Sequence, residues 1–466
     1  MNADALNASA ETAPDRLDAD NRLTGDFVRR VREALEDGEA GAVYDLAEGL
    51  HPADIADLFE AIPADLRGAL ADALTDLMGG EVFAELNEHV REALVDELAA
   101  ADIADIAEEM ETDDAVALIE DLAPEEQRAV LAEMEPEERA AIAAALAFPE
   151  ESAGRLMSRD VVAVGQHMQV GELIDFLRTR DDLPTEFWEV FIVDALHHPV
   201  GTCMLSWILR APHNVVLGDV MQRDQTLIPV TMDQEEVALR FQKYALISAA
   251  VVDESGRLVG QITVDDVLHI IQEEAGEDAL ALSGAGDGDI NEPLLLTIRS
   301  RMWWLFINLG TAILASSVVA AFQGTIEKLV TLAVIMPIIS GMGGNAATQT
   351  MAVTVRALAT NQLMQSNTWR MIAREWWIAN ANGWGLGVLM ALGCQLIYHD
   401  LWLSVVVVLA MILNSINAGL SGVLIPLGLE KLRIDPAVVS TVFVTTMTDT
   451  LGFFFFLGLA ALFNLH

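Results

Sequence analysis

The chain has 466 residues, a net charge of −45 and a mean hydropathy of +0.36, a combination that a single globular domain does not show. Residues 299–466 carry 8 basic and 6 acidic side chains, which leaves 18 basic and 65 acidic ones in residues 1–298. So acidic a surface repels nucleic acid and attracts cations, although adaptation to high salt explains the acidity equally well. The two cysteines, Cys203 and Cys394, exclude a disulfide framework and a zinc cluster.

The first part of the chain reads as a series of short helices. Its first 22 residues are polar and contain no apolar core of a signal peptide, so we expect the acidic part to lie in the cytosol. In residues 20–149, apolar side chains recur at helical spacing, as at Ile103, Ile106 and Met110, and prolines mark helix starts. The motif "ADIAD" occurs at 53–57 and again at 101–105. This pattern predicts a helical, superhelix-like N-terminal domain.

Residues 150–274 alternate between strand and helix patterns and contain an internal repeat. "GRLMSRD" from Gly154 matches "GDVMQRD" from Gly218, and "VFIVD" at 190–194 matches "AAVVD" at 249–253. Two copies, at about 150–210 and 214–274, resemble a tandem CBS pair with an α+β fold. Gly260, Thr263 and Asp266 fit the CBS pattern for binding the ribose of a nucleotide. The first copy lacks the hydroxyl and the acid, so we expect at most one ATP site per chain.

A connecting segment at 275–301 leads to an all-α membrane domain at 302–466. Five apolar spans are predicted, at about 302–323, 329–354, 376–397, 401–427 and 437–463. Seven of the eight basic residues in 299–466 fall on the side expected to face the cytosol, with Lys328 alone outside. We therefore expect a multi-pass protein of the cell (inner) membrane, with the N-terminus in the cytosol and the C-terminus outside.

Asp449 lies in the middle of the last apolar span. Residues 436–463 form 28 residues of helix, which at ~1.5 Å per residue is long enough to cross ~30 Å of hydrocarbon. A carboxylate at that depth costs at least ~2.5 kcal/mol and is a functional residue by default. Thr445, one turn earlier, places its carbonyl and hydroxyl on the same face.

The second span contains the polar stretch "MPIISGMGGNAATQT" at 336–350. Pro337 and the glycines predict a break in this helix that would leave carbonyl oxygens free, beside the amide oxygen of Asn345. The site thus offers carboxylate, carbonyl, hydroxyl and amide oxygens without imidazole or thiolate. Hard divalent cations prefer such ligands, and Mg²⁺ would keep most of its waters.

The motifs "ESAGRLM", "PIISGMGGNAATQTMAVTVRALAT", "IDPAVVS" and "VTTMTDTLG", in this order, resemble the MgtE-type magnesium channels over nearly the whole chain. The resemblance implies a homodimer in the lipid bilayer, with a helical N-domain, a CBS pair, a connecting plug helix at 275–301 and five spans per subunit. It implies a pore for Mg²⁺ lined by Asp449, the Thr445 carbonyl, Gly343, Gly344 and Asn345. It also implies closure by cytosolic Mg²⁺ and possible sensor roles for seven acidic residues: Asp233, Glu235, Asp266, Glu274, Glu277, Asp278 and Asp435.

Two other functions stay open at this stage. The first is a proton- or sodium-coupled divalent cation carrier, in which Asp449 would be a titrating relay. The second is a membrane-anchored adenylate sensor that transports nothing, although an anchor has no use for polar residues inside the second span. An enzyme is not expected, because the sequence has no phosphate-cradling loop and no nucleophile–base pair.

Overall fold

Two units, which divide between Gln272 and Glu273, make up the fold. The computed structural model describes residues 16–96, 98–180, 183–184, 187–281, 291–363 and 366–463. Each unit is built as the composition indicates: the first carries the acidic surface and the second carries the long apolar helices.

Within residues 16–149, the described part of the chain forms ten short α-helices. Proline occupies the first helical position of three of them, at Pro52, Pro124 and Pro136, where its missing N–H has no helical partner in any case. One continuous apolar core, from Phe27 to Ala145, runs through the series. The helices are α1 Gly25–Glu36, α2 Ala40–Ala47, α3 Pro52–Ala61, α4 Ala64–Ala73, α5 Gly80–Glu85, α6 Glu88–Val95, α7 Ala100–Glu109, α8 Thr112–Glu120, α9 Pro124–Glu133 and α10 Pro136–Ala145.

The rest of the first unit consists of two α+β repeats, as the internal repeat predicts. Each has a three-stranded sheet whose first two strands pair in parallel and whose last two pair antiparallel. The register shifts at equivalent places, between Ile192 and Val193 and between Val251 and Val252. The elements are β1 Ala163–Gly165, α11 Val170–Thr179, β2 Glu189–Val193, β3 Pro199–Met204, α12 Leu205–Ile208, α13 Leu217–Val220, β4 Leu227–Pro229, α14 Gln234–Tyr244, β5 Ser248–Val252, β6 Leu258–Thr263 and α15 Val264–Ala281.

Glycines hold the two repeats together by close approach. A Cβ added at Gly260 would lie 2.7 Å from the carbonyl oxygen of Ser158 and 2.9 Å from the sulfur of Met157. A Cβ at Gly201 would lie 2.8 Å from the carbonyl oxygen of Gln222. Each sheet therefore packs on the opening segment of the other repeat, and only glycine fits at these two contacts.

In the described part of the second unit, six further helices follow α15. They are α16 Leu294–Ala321, α17 Gln323–Lys328, α18 Thr331–Ala359, α19 Thr368–Tyr398, α20 Leu401–Lys431 and α21 Pro436–Leu462. Helix α20 packs against α18, α19 and α21, and α16 packs against α21. Within the connecting segment at 275–301, α15 ends at Ala281, α16 begins at Leu294, and residues 282–290 lie outside the described residues.

Four helices of the described residues are long and apolar enough to cross a membrane: α16, α18, α20 and the part of α21 from Thr441 to Leu462. Helix α19 is equally long, at 31 residues, but is more polar. The predicted break in the second span is wrong, because α18 is one continuous helix of 29 residues with Pro337 inside it. Pro337 lies in the second turn, where loss of one hydrogen bond leaves the rest of the ladder intact.

Candidate functional site

Asp449 projects from α21 towards α18. It is partly exposed, and the hydroxyl of Ser340, a side chain that is only 5% exposed, donates a hydrogen bond to its Oδ1. Among the described residues, Asp449 makes no salt bridge and accepts no second hydrogen bond. The carboxylate therefore has a polar neighbour but no compensating positive charge in a helix otherwise fit for hydrocarbon.

Thr445 and Asn345 lie on exposed parts of α21 and α18. The Thr445 carbonyl accepts a hydrogen bond from the Thr448 hydroxyl, at 3.0 Å, in addition to the backbone hydrogen bond of the helix interior. On α18, the Thr348 hydroxyl donates to the carbonyl of Gly344 at 3.0 Å. Among the described residues, no hydrogen bond joins Asn345 to Asp449.

Gly343 has a packing contact that the sequence did not reveal. A Cβ added there would lie 2.1 Å from Nδ2 of Asn414 on α20, whereas a Cβ at Gly344 would meet nothing within 4 Å. Asn414 is 1% exposed, and its Nδ2 donates to the carbonyl of Ile339 at 2.9 Å. Its Oδ1 is buried without a partner among the described residues. Two adjacent glycines of one motif therefore have different surroundings.

Glu375 is a second carboxylate inside this unit. It lies on α19, is 7% exposed, and accepts a hydrogen bond from the Thr350 hydroxyl at 3.3 Å. The burial of Glu375 between helices cannot be seen in the residue order.

An acidic cluster in the first unit joins the helical domain to the second repeat. We define it by Glu111, Asp113 and Asp114 at the start of α8 and by their charged neighbours Asp160, Asp265 and Asp266. Burial, followed by repulsion from Asp266, raises the pKa of Glu111 to about 7 and that of Asp114 to about 6. The same two causes raise the pKa of Asp113.

Among the described residues, positive charge compensates the acidic cluster only in part. Oδ1 of Asp113 is shielded from solvent and has no hydrogen-bond partner among the described residues. The N-terminus of α8 favours negative charge, and Arg91 lowers the pKa of Asp114, but neither outweighs burial and repulsion. No group of three or more His, Cys, Asp or Glu in the described ranges is arranged to hold a metal ion.

The acidic cluster contains Asp266 from the sensor residues implied by the resemblance and adds Glu111, Asp113 and Asp114, which sequence reasoning missed. Their signal was "ETDD" at a helix start, but the partner acids are about 150 residues away along the chain. Two other candidates cap helices: Asp233 accepts from the N–H of Glu235 at 3.0 Å, and Asp435 from that of Ala437 at 2.8 Å. Three remaining candidates lie elsewhere on α14 and α15: Glu235, Glu274 and Glu277. The fourth, Asp278, has a side chain that lies outside the described residues.

Thr263 and Asp266, predicted to hold a ribose, bond to each other. Oδ2 of Asp266 accepts from the Thr263 hydroxyl at 2.6 Å and from its N–H at 3.2 Å. Gly260 has the packing role described above. Nucleotide binding at these residues stays a prediction.

Three family models match the chain. They are a divalent cation transporter model (MgtE) at 336–459, an MgtE intracellular N domain at 50–151 and a CBS domain at 217–273. The magnesium transporter MgtE of Thermus thermophilus is 29% identical over 439 residues, which cover 93% of this chain and 97% of the relative. That of Bacillus subtilis is 27% identical over 456 residues, covering 95% and 98%.

Among solved structures, the cytosolic domain of the Mg²⁺ channel MgtE in complex with ATP is similar, with 28% identity and a TM-score of 0.48. The similarity covers 52% of this chain and 99% of that one. Family-specific models thus match both the helical N-terminal domain and the helices around Asp449, and the curated relatives align along nearly the full length. The chain belongs to the MgtE family of divalent cation transporters.

Proposed function

We propose that the chain forms a channel through which Mg²⁺ crosses the cell membrane. Two relatives that align with more than nine-tenths of it are magnesium transporters. The observation that carries the proposal is Asp449, a carboxylate without a basic partner among the described residues, in a helix that can span a membrane. Such a group is stable in hydrocarbon only where water or a cation reaches it.

A second copy of the chain completes the proposed pathway. Two Asp449 carboxylates that face a common axis repel each other, and a divalent cation between them neutralises both. The exposed polar residues on α18 and α21, including Asn345 and Thr445, then face the hydrated ion instead of lipid. Mg²⁺ releases its waters reluctantly, so oxygens that bind those waters are enough to guide it.

We further propose that α19 is the fifth span, which places the C-terminus outside the cell. Helix α19 packs along α20, which is apolar enough to span, and its 31 residues are long enough to do the same. An odd number of spans and the seven basic residues on the inner side support this orientation.

The acidic cluster is the site at which we place regulation by cytosolic Mg²⁺. Burial first, and then repulsion from the neighbouring acids, raises its pKa values, so the ionised groups are destabilised when no cation is bound. A hydrated divalent cation removes this repulsion and holds the helical domain against the second repeat. We propose that this bound arrangement corresponds to the closed channel, so that low cytosolic Mg²⁺ opens it.

Flux of Mg²⁺ into vesicles that contain the purified chain tests the transport function. Asp449→Asn removes the charge at nearly constant shape, and we expect it and Asp449→Ala to lose at least ~90% of the flux, since the cation loses its main ionic partner. Asp400→Asn is the matched control. Asp400 caps α20 by accepting from the N–H of Trp402 at 2.9 Å, and asparagine caps equally well, so flux should persist.

The same assay separates the alternatives. Native flux in both Asp449 variants would overturn the assignment of Asp449 to the pathway. Flux that stops when the pH or Na⁺ gradient is collapsed would indicate a coupled carrier, and a native chain without any Mg²⁺ flux would leave only the sensor function.

A further inference from the structure

The hydroxyl of Ser340 limits what Asp449 can bind. It donates to Oδ1 of the carboxylate from a position only 5% exposed, so water does not displace it freely. A hydrogen bond to an ionised carboxylate is stronger than one between neutral groups, and it both fixes the rotamer and occupies a lone pair. Of the two carboxylate oxygens, Oδ2 alone has no hydrogen-bond partner among the described residues.

Asn414 on α20 fixes the position of Ser340 through the neighbouring backbone of α18. Its Nδ2 donates to the carbonyl of Ile339, the residue before Ser340, at 2.9 Å. The same amide lies against Gly452, one turn after Asp449, where a Cβ would come within 2.9 Å of Nδ2. This single buried side chain therefore contacts α18 and α21 at the level where Ser340 meets Asp449.

A carboxylate with one occupied oxygen discriminates between hard cations. Ca²⁺ takes six to eight oxygens in flexible geometry, and carboxylates often bind it through both oxygens. Mg²⁺ demands six in an octahedron and keeps several waters, each of which needs one acceptor only. An aspartate whose Oδ1 is held by a hydroxyl suits the second ion and is poorly suited to the first.

We propose that Ser340, held in place by Asn414, is a specificity-determining residue that prevents Asp449 from binding a partly dehydrated Ca²⁺ through both oxygens. The inference rests on the proposed transport of Mg²⁺ through a pathway that contains Asp449. It assigns discrimination against Ca²⁺ to a neutral side chain of the polar stretch at 336–350.

Competition between the two ions in the full-length chain tests the proposal. Mg²⁺ flux into vesicles is measured against increasing Ca²⁺, and the half-inhibiting Ca²⁺ concentration is divided by the half-saturating Mg²⁺ concentration. Ser340→Ala should lower this ratio by about tenfold, the effect of one hydrogen bond to a charged group, while half-saturation by Mg²⁺ changes less than about twofold. Ser340→Cys, with a weaker donor, should give an intermediate ratio.

Ser404→Ala is the matched control. Ser404 is 6% exposed on α20, and its hydroxyl donates to the carbonyl of Asp400 at 2.9 Å, not to Asp449. The proposal predicts a native ratio for this variant. An equal fall in both alanine variants would indicate a general packing effect and would overturn it.

The outcomes distinguish this inference from the proposed function. An unchanged ratio in Ser340→Ala, with flux that still depends on Asp449, overturns the specificity role alone. Flux that does not depend on Asp449 overturns both. If Ser340→Ala fails to assemble, Ser340→Cys decides, because a native ratio in that variant is also incompatible with the proposal.

Discussion

The carboxyl groups of the acidic cluster connect charge to stability at the level of single residues. Burial and repulsion raise the pKa of Glu111 from 4.5 to about 7 and that of Asp114 from 3.8 to about 6. The folded chain therefore binds protons more tightly than the unfolded chain. Their destabilising effect is absent below the unfolded pKa values, grows as the pH rises between about 4 and 7, and is complete above that range.

We accordingly expect the full-length chain, free of divalent cations, to become more stable as the pH falls from about 8 to about 5.5. The expected rise in the unfolding temperature of the first unit is about 2–4 °C, the shift that ~1 kcal/mol gives in a domain of this size. Thermal unfolding in detergent at constant ionic strength measures it.

The double variant Glu111→Gln, Asp114→Asn should lose most of this pH dependence. Its matched control is Glu137→Gln, Glu138→Gln, which changes two exposed acids in the first turn of α10. Equal pH dependence in the native chain and both double variants would show that the acidic cluster is not the origin.

At the scale of the helices, the two adjacent glycines of "GMGGN" should respond differently to the same substitution. In Gly343→Ala the new Cβ meets Nδ2 of the buried Asn414 at 2.1 Å, so α18 and α20 have to separate. Overpacking of this kind costs about 1–3 kcal/mol. We expect a lower unfolding temperature in detergent, and partial recovery when Asn414→Ala is added.

Gly344→Ala is the matched control, one residue along the same helix. Its Cβ meets nothing within 4 Å, and alanine is the better helix former, so the unfolding temperature should not fall. A similar loss in both variants would contradict the packing difference.

The helices show what residue order can and cannot predict. Apolar length located α21, and Asp449 stands out there because it is charged in an apolar segment. The predicted break in α18 is wrong, because a proline in the second turn and a glycine packed against α20 leave the helix continuous. Ser340 and Asn414 could not be found, because their contacts join residues 109 and 75 positions apart.

At the scale of the whole molecule, the sequence is compatible with two explanations of the negative charge: a cation sensor and adaptation to high salt. The domain order could be predicted from composition and repeats, because acidity, alternating strands and apolar runs occupy separate stretches. The acidic cluster could not be predicted from the sequence, because it forms only when the start of α8 packs near the second repeat.

The two origins predict different responses to salt. Mg²⁺ at about 10 mM should raise the unfolding temperature of the native chain more than KCl of equal ionic strength, because a ligand that binds only the folded state stabilises it by mass action. The Glu111→Gln, Asp114→Asn variant should lose this excess but keep its response to ~1 M KCl, which screens surface charge generally. Equal effects of both salts at equal ionic strength in the native chain would favour salt adaptation.

Helix α19 has a consequence for how the chain is made. Gly383 and Gly387, one turn apart, bring its backbone onto α20: a Cβ at Gly383 would lie 2.8 Å from Cα of Ile412, and one at Gly387 would lie 3.3 Å from Cα of Val408. A polar segment shaped to this one neighbour has little tendency to partition into lipid alone. If α19 is the fifth span, as proposed, we expect it to enter the bilayer together with α20 as a hairpin, once α20 has left the ribosome.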